Sequence, residues 1–197
     1  MKIFVCILII GAFINFTPNK REMIVVIQPL GKFSNVEAKL VFKEIQKINP
    51  KAVLKSNIPF PIKSYYKPRN RYRADSIIKF LSSRIGKDSV VIGLSEKDIS
   101  TTKNNVKDWG IMGLGYRPGN ACVVSSFRLS KKNKTEQFYK VALHELGHTQ
   151  GLPHCKNKTC LMRDAEGRNT LNEEKEFCSS CKSHLKKKNW KLYKANR

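Results

Sequence analysis

The chain has 197 residues, 41% hydrophobic and 27% charged, with 38 lysines and arginines against 15 aspartates and glutamates, a formal net charge of +23. That length and apolar content suit one compact domain with its own core. There is no internal repeat and no low-complexity linker, which excludes a repeat array. The longest apolar run, Ile3 to Ile14, is short for a membrane span.

Residues 1–20, where Lys2 precedes that apolar run, read as a signal-like or membrane-anchor segment and predict an exported or membrane-anchored protein. The alternative is cytoplasmic: no small-x-small cleavage site is evident, and Lys20 and Arg21 follow the run. A strand is expected at Met23–Gln28, ended by Pro29 and Gly31, and then a helix over Val36–Ile48 with Val36, Leu40, Val41, Ile45 and Ile48 inward. A second strand falls within Ala52–Ile58, and Pro59 to Pro68 reads as an extended loop. Arg73–Ile85 has helical periodicity, with Ile77, Ile78, Leu81 and Ile85 on one side and Gly86 as terminator. Val90–Leu94 is a short central strand, and the polar stretch Ser95–Asn105 reads as a loop. Ile111–Gly115 and Ala121–Ser126 read as strands around a turn at residues 116–120, followed by a helix from Glu136 to Gly151. Alternation of strands and helices implies an α/β fold on a mixed, mostly parallel sheet.

That last helix carries the chemistry. His144 and His148 are four residues apart and share one face, while Glu145 stands one step round, beside any ion they hold rather than bound to it. Gly151 lets the chain leave the helix and bring up His154. Three imidazoles leave a fourth zinc position for water, the mark of a catalytic site. The competing third ligand is a later glutamate, with Glu166, Glu173, Glu174 and Glu176 available; Gly151 and the short gap favour His154.

Cys155 and Cys160, then Cys178 and Cys181, form two close pairs with the spacing of a tetrahedral four-thiolate zinc site. The other reading of these pairs is two disulfides, Cys155–Cys160 and Cys178–Cys181. Cys6 and Cys122 stand apart from the cluster.

The run from His144 to Cys181 closely resembles the archaemetzincins, metzincin-type zinc peptidases with a second, four-cysteine zinc. The resemblance continues through Arg71-Tyr72-Arg73-Ala74, Val91-Ile92-Gly93-Leu94 and the segment from Ala121 to Leu129. With 15 residues between Met162 and Cys178, the chain is shorter there than the family pattern, so a shorter loop is expected.

The resemblance implies a metzincin-like zincin fold with an active-site helix and a cysteine-rich C-terminal part, the peptidase domain occupying residues 21–184. It implies two Zn2+ per chain, one catalytic on His144, His148 and His154 and one structural on Cys155, Cys160, Cys178 and Cys181. Glu145 would be general base and acid, and Met162 the methionine of the turn beneath the catalytic site. Ala121–Ser126 would be the antiparallel edge strand facing the cleft, with Val123, Val124 and Ser125 binding substrate. The expected activity is zinc-dependent hydrolysis of peptide bonds in peptide or protein substrates, aminopeptidase-like trimming included. A zinc-stabilised binding protein with a vestigial site and a zinc hydrolase of non-peptide amides are the alternatives.

Lys182, Lys186, Lys187, Lys188, Lys191, Lys194 and Arg197 crowd the end, and residues 185–197 read as a basic tail. An anionic membrane surface is its expected partner if it has one. No nucleic-acid module accompanies the charge, so nucleic acid is not expected, and the chain is expected to be monomeric.

Overall fold

The computed structural model describes residues 23–192; the signal-like or anchor segment and the last residues of the basic tail lie outside them. The elements in chain order are β1 (Ile24–Pro29), α1 (Asn35–Gln46), β2 (Val53–Leu54), β3 (Tyr65–Tyr66), β4 (Arg71–Arg73), α2 (Ala74–Ser82) and β5 (Ser89–Ser95). They continue with β6 (Ile99–Lys103), β7 (Val106–Ile111), β8 (Gly113–Gly115), β9 (Ala121–Ser125), α3 (Lys134–Thr149) and α4 (Ser179–Lys187). β2, β1, β5, β9 and β8 form one sheet in that order, parallel throughout except for β8, which runs antiparallel along the edge.

Alternation along the central strands sends side chains to opposite faces. Val25, Ile27, Val90, Ile92, Leu94, Cys122 and Val124 pack with α1, α3 and the C-terminal region. Val91, Ala121 and Val123 pack with Ile77, Ile78 and Leu81 of α2. The result is three layers, with the sheet in the middle and α3 against β9 and β8. Among the described residues no helix is long and apolar enough to cross a membrane.

Four expectations are corrected. Ala121–Ser125 is not the edge: β9 lies between β5 and β8, and Val123, Val124 and Ser125 are fully buried. The edge facing the cleft is β8. The polar stretch after Ser95 is not a loop. β6 and β7 pair there as a hairpin inside a second sheet ordered β3-β4-β6-β7, which also reaches into the expected Pro-rich loop. Ion pairs secure this sheet: Arg71 spans Asp98 (2.6 Å) and Asp108 (2.8 Å), and Arg128, just beyond β9, forks onto Asp98 at 2.7 and 2.8 Å.

On α1 the helical phase differs from expectation. Val36 is 70% exposed and Leu40 also faces out, while Ala38, Val41 and Ile45 are buried. The Ser34 hydroxyl accepts the Glu37 N–H and caps the helix one residue earlier than expected. Finally, the boundary of a tail at residue 185 falls inside α4. Leu185 is wholly buried and Trp190 is 3% exposed, so both belong to the core.

Candidate active site

α3 is amphipathic in an unusual sense, because its C-terminal half is buried on both its apolar and its polar sides. Its last two turns present His144, Glu145 and His148. Gly151 then adopts φ +94°, a left-handed conformation that a side chain would strain, and the chain doubles back to His154. The three rings converge with centroids 4.6, 4.9 and 5.4 Å apart, and one nitrogen from each lies within 4.8 Å of the others. None of the four glutamates considered as a third ligand joins this cluster.

Each imidazole is oriented by a partner on its Nδ1. His144 Nδ1 is 2.6 Å from the Leu161 carbonyl, His148 Nδ1 is 2.8 Å from the Leu152 carbonyl, and His154 Nδ1 is 3.1 Å from Asp164 Oδ2. A carbonyl can only accept, so the proton of His144 and of His148 sits on Nδ1 and the lone pair on Nε2 points inward. The Glu166 N–H donates to Asp164, and with His154 beside it holds that carboxyl below the usual carboxylate range, so it too accepts. Burial, with His148 adjacent, depresses His144 to about 3, and burial also lowers His148. Both rings are therefore neutral near physiological pH, the form that binds a metal. These donors fit zinc.

Glu145 is 7% exposed, and burial pushes its carboxyl up to about 8, opposed by the N–H of Gly115 donating to it. The fit against β8 is tight. A Cβ at Gly113 would stand 2.6 Å from Glu145 Cγ and Oε1, and one at Gly115 would stand 2.6 Å from the Glu145 carbonyl oxygen. Two backbone positions without side chains thus set Glu145 against the edge strand. Beneath the helix Met162 is fully buried, its sulfur so close to Gly147 that a Cβ there would lie 2.5 Å away.

The four cysteines gather in a second cluster beside His154, their sulfurs within 4.8 Å of one another. Cys155 and Cys178 are 3.7 Å apart and Cys160 and Cys181 3.8 Å. A tetrahedron with Zn–S bonds of about 2.3 Å has edges of about 3.8 Å, whereas a disulfide needs sulfurs about 2.05 Å apart. The thiols are free, and the close pairs are not the sequence neighbours expected for disulfides. The backbone N–H groups of Met162 and Cys178 point at Cys160 Sγ at 3.4 and 3.3 Å. Burial pushes the Cys160 and Cys181 thiols up, so ionising them together calls for a cation. This donor set also fits zinc.

A sequence model of peptidase family M54 matches residues 8–187. The chain belongs to this family, the archaemetzincins. The archaemetzincin of Haloquadratum walsbyi is 33% identical over 126 residues, 57% of this chain and 70% of its own length. That of Halobacterium salinarum is 31% identical over 142 residues, 66% of this chain and 79% of its own. The crystal structure of archaemetzincin from Archaeoglobus fulgidus, complexed with malonate, superposes with a TM-score of 0.71 at 26% identity, covering 82% of this chain and 99% of that one. The Methanopyrus kandleri structure matches in fold, with a TM-score of 0.73 at 23% identity over 88% and 98% of the two chains. As an archaemetzincin the protein is a zinc metallopeptidase with a zincin-like fold.

Residues that sequence reasoning did not single out complete this archaemetzincin site. Gly113 and Gly115 stand against Glu145, and Asp164 and the carbonyls of Leu152 and Leu161 orient the histidines. Asp164 could have been suspected from its place just after Met162. A main-chain carbonyl leaves no trace in the sequence.

Proposed function

We propose that the chain hydrolyses peptide bonds with Glu145 as general base and acid, holding one zinc on His144, His148 and His154 and a second on the four cysteines. The observation that carries this reading is the set of three occupied Nδ1 atoms, which leaves three Nε2 atoms convergent beside a buried carboxylate. His144, His148 and His154 would hold a zinc ion that would supply Lewis-acid polarisation of the scissile carbonyl and a more acidic water. Glu145 takes the proton of the attacking water and returns it to the leaving amine nitrogen. Burial and the Gly115 N–H keep the carboxylate in one orientation while it does so.

β8, the edge strand at the rim of the site, offers main-chain groups to an extended peptide in the role expected of Ala121–Ser126. The cleft runs from β7 and β8 to the segment 163–171 and includes His144, Glu145 and His154 in its lining.

The test profiles a diverse peptide library by mass spectrometry with zinc-loaded protein and its Glu145→Gln variant. Cuts by the unaltered protein are expected to fall about a thousandfold or more in the variant while catalytic zinc is retained. Their positions separate aminopeptidase-like trimming from internal cleavage. Equal cutting by both proteins would refute the role given to Glu145.

A further inference from the structure

Glu174 lines the same cavity as His144 and His154, a space of about 390 Å³, yet it is no part of the hydrolytic machinery. It is 3% exposed. Its Oε1 accepts the Thr170 hydroxyl at 2.8 Å, and its Oε2 is buried with no hydrogen-bond partner. Among the described residues lining this cavity, no other side-chain oxygen or nitrogen is both buried and unpartnered. A buried carboxylate oxygen left without a donor is costly, and a ligand that supplies the donor recovers that cost.

The neighbouring cations do not supply it. Burial raises the Glu174 carboxyl above the usual carboxylate range, and the Thr170 hydrogen bond and the charges of Lys140 and Arg163 offset that rise only in part. The Lys140 ammonium is engaged by Glu136 at 2.6 Å and by the Leu171 carbonyl at 2.9 Å, and Arg163 pairs with Glu173 at 2.6 Å. Arg128, which also lines the cavity, forks onto Asp98.

The Leu171 carbonyl on this wall is held by Lys140, which stands on α3 four residues, about 6 Å of helix rise, before His144. The wall is also fixed, because Gln137 of α3 bonds Asn172 at 2.8 Å and Asn169 at 2.9 Å. A preformed pocket with one unsatisfied carboxyl oxygen selects for a side chain that can donate to it.

We propose that Glu174 is a specificity-determining residue, and that the pocket it closes accepts a lysine or arginine side chain of the peptide substrate. This inference rests on the peptidase reading above, and two measurements separate their failures. The first is calorimetric binding of matched short peptide hydroxamates, carrying lysine, arginine, norleucine or glutamate beside the zinc-binding group, to zinc-loaded protein. The basic probes are expected to bind at least about tenfold more tightly than norleucine. Glu174→Gln, which keeps the volume and the acceptor for Thr170, is expected to abolish that advantage and leave norleucine affinity unchanged. Equal affinities in the unaltered protein, or a basic preference that survives Glu174→Gln, would overturn the proposal.

The second measurement is the cleavage profile. Cutting with no enrichment of basic residues on either side of the bond overturns the role of Glu174 and leaves the peptidase standing. A basic binding preference without any cutting supports the pocket and counts against hydrolysis.

Discussion

His184 Nε2 lies 2.9 Å from the main-chain carbonyl of Gln150, so α4, which carries Cys181, is hydrogen-bonded to the end of the helix that carries His144 and His148. A second link is covalent, since Cys155 directly follows His154. The two donor clusters therefore cannot move independently, and a metal on the thiols stiffens the turn that brings in His154. We expect Cys181→Ser to lower zinc from two ions per chain to one, to lower the melting temperature by about 5 °C or more, and to weaken the remaining zinc about tenfold. Zinc counting and calorimetric melting test this together. An unchanged melting temperature after loss of one zinc would show that the thiol cluster does not support the fold.

Much of the site was legible in the sequence because its chemistry is local. His144, Glu145 and His148 sit within two helical turns, and the cysteine pairs flank one loop. The misreadings concern relations that local pattern does not encode. Val123 and Val124 are apolar in a way that suits either an edge or an interior strand, and only the strand order places them inside. Ile99 to Lys103 are mostly polar and carry no strand pattern, and the sheet their hairpin joins is held by Arg71, Asp98, Asp108 and Arg128, ion pairs drawn from distant parts of the chain. Val36 and Leu40 fit a helical stripe, but the Ser34 cap and the packing of Ala38, Val41 and Ile45 turn the stripe away from them. Trp190 was hidden among lysines.

Burial of Glu145 also has a consequence for stability in the metal-free protein. Its folded pKa, about 8, lies above the ordinary 4.5, so its stabilising contribution is complete below about pH 4.5 and is lost as pH rises through about 8. At pH 7 the shift corresponds to roughly 3 kcal/mol of destabilisation. Glu145→Gln should therefore melt about 5–10 °C higher than unaltered protein at pH 7 when both are metal-free, with the gap closing towards pH 4.5. Calorimetric melting across that range decides it, and a gap that does not vary with pH would contradict the assigned environment.

Asp164 accepts from His154, the most exposed of the three ligands. Outer partners of this kind set ring orientation, and their loss weakens metal binding about 10–100-fold. Asp164→Ala should shift the competition for zinc against a chelating dye by that factor, while the four-cysteine site is unaffected. A variant with unaltered zinc affinity would mean that the backbone turn at Gly151 alone positions His154.

The contact between β8 and Glu145 leads to the sharpest mutational expectation. A methyl group at Gly113 would fall 2.6 Å from Glu145 Cγ and Oε1, inside any tolerable contact, so either the edge strand or the carboxylate must move. The strand is paired to β9 along its length, with Gly113 opposite Val124 and Gly115 opposite Cys122, and it is the less free of the two. The carboxylate is therefore displaced, and a shift of about 1 Å in a catalytic group costs on the order of a hundredfold in rate. Gly113→Ala should lose that factor in kcat while binding zinc as before, because the nearest atoms to the added methyl all belong to Glu145 and not to any of the three histidines. Steady-state kinetics beside a zinc count provide the check. Full activity in Gly113→Ala would show that Glu145 works from a different position from the one seen against β8.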